Sequence, residues 1–209
     1  MSMTLVIGTK QWSSWSLRPW IAMKQAGLPF QEVVIQLRQP DTKARILEYS
    51  SAGKVPVLID GAIVVWESLA ILDHLSDRFP TRGLWPAEPA ARGHARAISA
   101  EMHAGFAALR RELPMDVLAE LPTPNLSEEA KADVARVQAI WREARQRYGA
   151  AGPFLFGRFT NADAMFAPVA TRFRTYGIEL DPACRNYADA VHNLPAMVTW
   201  YRQAEAETE

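Results

Sequence analysis

The feature that most constrains the fold is Asp60-Gly61, set between the apolar runs Val57-Leu58-Ile59 and Ile63-Val64-Val65-Trp66. An Asp-Gly pair accepts the left-handed backbone that a tight turn needs, so this stretch predicts an antiparallel hairpin. Upstream, Leu5-Val6-Ile7 ended by Gly8 reads as a buried strand. A helical pattern then runs from Ser16, with Leu17, Ile21 and Ala22 on one side, to a stop at Gly27 and Pro29. Pro19 is expected in the first turn of that helix, where its missing N–H does no harm. Residues 30–37 read as a second strand and 41–49 as a short polar helix. Strand-helix-strand implies a parallel pair with a right-handed crossover. A further helix is expected from Ser68, with Leu69, Leu72 and Leu75 or Phe79 on one face. The order β-α-β-α-β-β-α describes a small mixed sheet covered by helices.

After Pro80 the pattern changes, with Pro86 and Pro89 marking a linker and no further strand. Ile98, Met102, Phe106 and Leu109 recur at helical spacing, as do Val134, Val137, Trp141, Ala144 and Tyr148 behind an acidic start at Ser127-Glu128-Glu129. Thr160-Asn161-Ala162-Asp163 fits a capping box ahead of Met165, Phe166, Val169 and Phe173, with Pro168 expected to kink that helix. Tyr187 and Val191, then Met197, Trp200 and Tyr201, predict two last helices before a frayed acidic tail over 205–209. The expected organisation is an α/β domain over residues 1–82 and an all-helical domain over residues 89–209.

Composition narrows the function classes. Lysine and arginine number 23 and aspartate and glutamate 23, so the net charge is zero, against the basic excess of a dedicated nucleic-acid binder. One cysteine, Cys184, cannot make a redox pair or a cysteine-rich zinc site. The four histidines show no metal-binding spacing, so no metal is expected. No apolar stretch approaches the roughly 20 residues that span a bilayer, and the first ten residues lack a signal-peptide pattern. A cytosolic protein without a membrane or nucleic-acid partner is expected.

Three local features of the first domain point to one ligand. Pro56, in Lys54-Val55-Pro56-Val57, opens the hairpin. It reads either as an ordinary strand-opening proline or as a cis-proline that turns the Val55 N–H and C=O outward, where a short peptide would pair as an added strand. Glu67-Ser68 lies between strand and helix. Ser68 reads as a helix cap, and the pair also suits an α-amino acid head group, the helix end facing its carboxylate and Glu67 its ammonium. Trp12-Ser13-Ser14-Trp15-Ser16 joins the first strand and helix, and three of the seven tryptophans, Trp12, Trp15 and Trp20, fall within nine residues. Its serines read as caps or as donors to an anion, and its tryptophans as core or as walls of an apolar pocket. Arg18 reads as facing an anionic substrate or pairing with a carboxylate, His103 as a surface residue or one facing a cleft, and Arg110-Arg111 as a solvated pair.

In these features, in their order and in the Thr160-x-x-Asp163 box, the chain resembles the glutathione transferase family over nearly its whole length. The resemblance implies a thioredoxin-like domain followed by a helical-bundle domain, a homodimer, glutathione as co-substrate on the first domain and a small electrophile toward the second. The loop Ser13-Ser14-Trp15-Ser16-Leu17-Arg18 looks like the zeta-class signature Ser-Ser-Cys-Ser-x-Arg, with Trp15 at the cysteine position. Lys54 matches theta-like members, where the residue before Val-cis-Pro contacts glutathione. The resemblance implies Ser13 as the hydroxyl that activates the thiol, with Ser14 as the alternative and Ser16 as the helix cap. Lys54, Val55, Pro56, Glu67 and Ser68 would bind glutathione, and Trp12, Trp15, Arg18 and His103 would line the electrophile pocket. The implied activity is addition of glutathione to an apolar electrophile. The alternatives are glutathione-dependent cis-trans isomerisation of the maleylacetoacetate type and a non-catalytic ligand-binding role.

Overall fold

A computed structural model describes residues 3–207. Strand β1 (Met3–Gly8) pairs in parallel with β2 (Phe30–Ile35) and antiparallel with β3 (Val57–Asp60), which pairs antiparallel with β4 (Ile63–Trp66), giving the order β2-β1-β3-β4. The hairpin forms as expected, one residue out of place. Asp60 is the last residue of β3, opposite Ile63, and Gly61 takes φ +64° in the turn. Asp60 stays in the strand because its carboxylate is held by His74 at 3.1 Å and Arg78 at 3.2 Å.

Helix α1 (Ser14–Gln25) begins two residues before the expected start. Ser13 therefore occupies the N-cap position, Ser16 lies inside the helix, and Pro19 sits beyond the first turn. Buried Leu17, Trp20 and Ile21 hold the helix on the sheet despite that proline, each fully buried aliphatic side chain contributing about 1.5–3 kcal/mol. It ends in a Schellman arrangement, with Leu28 N–H donating to Met23 C=O and Gly27 at φ +64°.

Helices α2 (Thr42–Leu47) and α3 (Ser68–Arg78) complete the first half. The second half holds α4 (Pro89–Ala104), α5 (Ala107–Glu112), α6 (Glu128–Tyr148), α7 (Asn161–Thr175), α8 (Pro182–His192) and α9 (Pro195–Ala206). The single helix expected from Ile98 to Leu109 is two, because Phe106 takes a left-handed conformation at φ +62° after Gly105. Helix α7 runs from its capping box through Pro168 without interruption. It joins the halves: Arg18 Nε, from α1, donates to Met165 C=O at 3.2 Å, and Asn161 Nδ2 donates to Leu72 C=O, in α3, at 3.1 Å. One apolar core runs through both halves, from Leu5 and Trp20 to Phe166 and Trp200. The tail is anchored as far as Glu207, which binds Lys10, against the expected fraying; residues 208–209 lie outside the described residues.

Candidate active site

A cleft of about 260 Å³ opens between the halves. Its floor is Val55 and Pro56, joined by a cis peptide bond, with Ala52 and Lys54 beside them. Its other walls are Trp66 and Glu67, at the end of the hairpin, and Trp15 and His103. The sequence-predicted residues Lys54, Val55, Pro56, Glu67, Trp15 and His103 thus meet around one space. Trp66 and Ala52 join them, and neither carries a sequence signal beyond its neighbours.

Glu67 sits at the N-cap of α3 with φ +67°, a conformation costly for a residue with a Cβ. Ser68 follows, fully buried, and its hydroxyl has no hydrogen-bond partner. Ser68 therefore does not cap the helix. A buried, unpaired hydroxyl at a helix N-terminus is an open donor where the helix end also favours negative charge. His103 Nε2 stands 3.7 Å from a Glu67 carboxylate oxygen across the cleft. Burial lowers the His103 pKa, with Arg18 and Arg110 acting in the same direction and Glu67 opposing them.

The loop before α1 is tied from several sides. Lys10 N–H donates to Glu207 at 2.7 Å, Trp200 Nε1 donates to Lys10 C=O at 2.9 Å, and Leu37 N–H donates to Thr9 Oγ1 at 2.8 Å. At its end Ser13 Oγ donates to Ser16 Oγ at 2.7 Å, and Ser16 Oγ also accepts from Gly8 N–H at 3.1 Å. Ser13 and Ser16 are both buried, and neither is among the cleft-lining residues. Ser14 is turned elsewhere, its Oγ accepting from Arg172 Nη2 at 3.2 Å.

Two expected pocket residues stand apart from the cleft. Trp12 packs under the Arg38 guanidinium at 4.1 Å and is not among the cleft-lining residues. Arg18 is 1% exposed and lies behind Trp15, its guanidinium 4.0 Å from the ring centroid. Arg110 and Arg111 do not form a solvated pair. Arg111 is exposed beside Glu112, whereas Arg110 is half-buried, 4.6 Å from the Trp15 ring and bonded to Gly105 C=O. Arg172 escaped sequence reading and Arg110 reads there as solvated, because an arginine that turns inward carries no local pattern. Among the described residues no cluster of metal-ligating side chains occurs, and no helix is long and apolar enough to cross a membrane.

A thioredoxin-like mixed sheet carrying a cis-proline, followed by helices that close a cleft over it, defines the glutathione transferase class of fold. Residues 12–78 match the profile described as glutathione S-transferase, N-terminal domain, and residues 92–203 the one described as glutathione S-transferase, C-terminal domain. The chain belongs to the glutathione transferase family. It is 23% identical over 201 residues to a probable maleylacetoacetate isomerase of Caenorhabditis elegans, covering 93% of this chain and 91% of that protein. It is 30% identical over 153 residues to a glutathione S-transferase of Pseudomonas putida, covering 70% of this chain and 64% of that one. Among solved structures, a glutathione transferase homolog from Burkholderia with bound glutathione superposes with a TM-score of 0.75 at 21% identity, over 99% of this chain and 100% of that chain.

Proposed function

We propose that this protein binds glutathione in the cleft, activates its thiol and adds the thiolate to an electrophile. Val55 beside cis-Pro56 offers backbone to the peptide, Lys54 faces its glycyl carboxylate, and Ser68 and Glu67 take its γ-glutamyl carboxylate and ammonium. The orphaned Ser68 hydroxyl supports the fit to an anionic head group.

The observation that carries the reading is the chain Gly8 N–H, Ser16 Oγ, Ser13 Oγ. A hydroxyl both donates and accepts, so the Ser13–Ser16 bond can reverse. With a thiolate present, Ser13 turns its proton to the sulfur and accepts from Ser16, which still accepts from Gly8. Such a chain polarises along its length and strengthens its last donor. A free thiol with a pKa near ~8.5 is then held largely ionised at neutral pH. Conversion of an electrophile by the purified protein, dependent on glutathione and lost in Ser13→Ala, tests this. Retained turnover in Ser13→Ala with loss in Ser14→Ala would transfer the role to Ser14.

A second reading rests on the length of the match to the probable maleylacetoacetate isomerase: thiol adds, the double bond rotates, and thiol leaves. Isomer turnover with no net loss of thiol distinguishes it from conjugation. A non-catalytic binding role requires that glutathione does not bind. The division into a glutathione-binding domain, residues 1–82, and a substrate domain, residues 89–209, belongs to the same reading. So do a cytoplasmic location and a homodimer, the latter consistent with exposed Ile63 and Val64 on β4. A monomer mass in light scattering at micromolar concentration would refute the dimer.

A further inference from the structure

The turn that carries Ser13 is held from the far end of the chain. Trp12 N–H and Ser13 N–H both donate to Thr9 C=O, at 3.2 and 2.9 Å, so residues 9–13 form one compact turn. Lys10 lies inside it, and both of its backbone groups are taken by the last helix and the residue after it. Lys10 N–H donates to Glu207 Oε2 at 2.7 Å, and Lys10 C=O accepts from Trp200 Nε1 at 2.9 Å. The side chain follows the backbone. Lys10 is 3% exposed, and its Nζ lies 3.2 Å from Glu207 Oε1 and 3.2 Å from Glu32 Oε2, over the Trp200 ring. Glu32 also pairs with Lys24 of α1 at 3.2 Å.

Glu207 is not needed to dock α9. Met197, Trp200 and Ala204 are fully buried in the common core, whereas Glu207 stands past the last residue of the helix, Ala206. An ion pair on the surface holds little, because water screens it and two long side chains must be ordered. The Glu207 carboxylate instead gives one oxygen to a backbone N–H and the other to a buried ammonium, both charge-assisted bonds. Without it, among the described residues, the Lys10 ammonium keeps Glu32 alone and the Lys10 N–H has no partner. Two other ties flank Lys10 and do not reach its peptide groups: Val117 N–H donates to Gln11 C=O at 3.1 Å, and Leu37 N–H donates to Thr9 Oγ1 at 2.8 Å. A donor that stabilises an anion has to be held to within about 0.5 Å, so a bond that fixes the middle of this turn bears on where Ser13 sits.

We propose that Glu207, with Trp200, is a positioning residue for thiol activation: the end of the chain clamps the Lys10 backbone and, through the turn of residues 9–13, sets where Ser13 Oγ meets the glutathione sulfur. The inference rests on the reading of Ser13 as the thiol's donor. Neither Glu207 nor Trp200 lines the cleft, so both act through the turn and not on a ligand. The working contact is the bond to the Lys10 N–H, with the ammonium pair holding the carboxylate in place for it.

The test reads the pKa of the thiol of bound glutathione, from thiolate ultraviolet absorbance, beside the glutathione Kd from calorimetric titration. Glu207→Ala removes both bonds, and Glu207→Gln keeps an acceptor for the Lys10 N–H while losing the charge. Glu207→Ala should raise the thiol pKa by at least half of the rise seen in Ser13→Ala, with Kd nearly unchanged. Glu207→Gln should recover most of that shift. Trp200→Phe, which keeps a ring in the core and removes the donor to Lys10 C=O, should move the thiol pKa in the same direction and serves where Glu207→Ala does not fold. A merely structural role would change the melting temperature and leave the thiol pKa of the folded protein alone. If Ser13→Ala raises the thiol pKa while Glu207→Ala and Trp200→Phe do not, the clamp is overturned and the serine reading stands. Equal shifts in Glu207→Ala and Glu207→Gln overturn the assignment to the backbone bond. If Ser13→Ala itself leaves the thiol pKa unmoved, or glutathione does not bind, the serine reading fails first and the positioning role falls with it. Amide exchange over residues 9–13, faster in Glu207→Ala than in Glu207→Gln, then shows whether the end of the chain still holds the turn.

Discussion

Ser13 Oγ lies 2.7 Å from Ser16 Oγ, and the second hydroxyl also accepts the Gly8 N–H. One serine stands at the N-cap of α1 and the other one turn inside it, so the end of β1, the loop and the helix share a single hydrogen-bond chain. The chain sets where the Ser13 hydroxyl can point, and in the proposed mechanism Ser16 acts through Ser13 without contact to substrate.

Ser16→Ala removes the link that accepts from Gly8 and supports Ser13. It should lower kcat by about tenfold, less than the 10²–10³-fold expected for losing the donor itself, with glutathione KM nearly unchanged. Ser16→Thr should restore most of the loss by returning the hydroxyl. Steady-state kinetics check this, and a changed KM with an intact kcat would mark Ser16 as purely structural.

Ser68→Ala should weaken glutathione binding by about 1–3 kcal/mol, the cost of leaving a ligand carboxylate without its buried partner. In the unliganded protein the same change should be nearly neutral or stabilising, because the hydroxyl is buried and unpaired. Calorimetric titration and a melting curve read the two effects independently. A destabilised apo protein with unchanged affinity would contradict the assignment.

Asp163 is buried, and its carboxylate accepts from Leu155 N–H at 3.0 Å, Thr160 N–H at 2.7 Å and Thr160 Oγ1 at 3.0 Å. Burial dominates over these bonds and raises its pKa to about 6. Thr160→Ala should cost about 0.5–2 kcal/mol, the range for a lost cap. Asp163→Ala, which strands two backbone donors, should cost more, about 1–3 kcal/mol for each group left unpaired. Urea denaturation measures both. Unchanged activity per folded molecule is expected, and a loss of activity at full stability would make the box part of the active site.

His192 is an acid-sensitive element of the helical half. Its Nε2 lies 3.2 Å from Ala170 C=O, which can only accept, and Nδ1 lies 2.7 Å from the Tyr201 hydroxyl. The ring is therefore neutral with its proton on Nε2, and burial, with Arg174 adding repulsion, lowers its pKa to about 4. Below about pH 6.5 the unfolded chain binds a proton that the folded chain refuses. This contribution to stability is complete above about pH 6.5 and is lost as the pH falls toward about 4. His192→Gln should flatten the stability profile over that window in paired denaturation curves. Parallel profiles for the two proteins would show that His192 does not titrate this way.

Much of the fold was legible because its signals are local. Gly27 marks a helix stop and Thr160-x-x-Asp163 a capping box, each where the pattern places it, and Asp60-Gly61 marks a turn that forms one residue further on. The misplacements have tertiary causes. Ser16 reads as a helix start in one dimension, but its hydroxyl accepts the Gly8 N–H and α1 begins before it. Pro19 is tolerated beyond the first turn because the burial of Leu17, Trp20 and Ile21 in the core offsets its cost. The cleft-lining half of the site was readable from Lys54-Val55-Pro56 and Glu67-Ser68. The inward turn of Arg110 and Arg172 was not, since they come from separate helices that only packing brings to α1. Glu207, reaching Lys10 from the far end of the chain, was invisible for the same reason.

The most direct test of the account is the pKa of the glutathione thiol bound to the protein, read from thiolate ultraviolet absorbance during a pH titration of the wild type and Ser13→Ala at saturating glutathione. The wild type should hold the thiol well below the ~8.5 of a free thiol, and Ser13→Ala should return it most of the way while still binding glutathione. Equal thiol pKa values in the two proteins would contradict the assignment of Ser13 as the group that stabilises the thiolate.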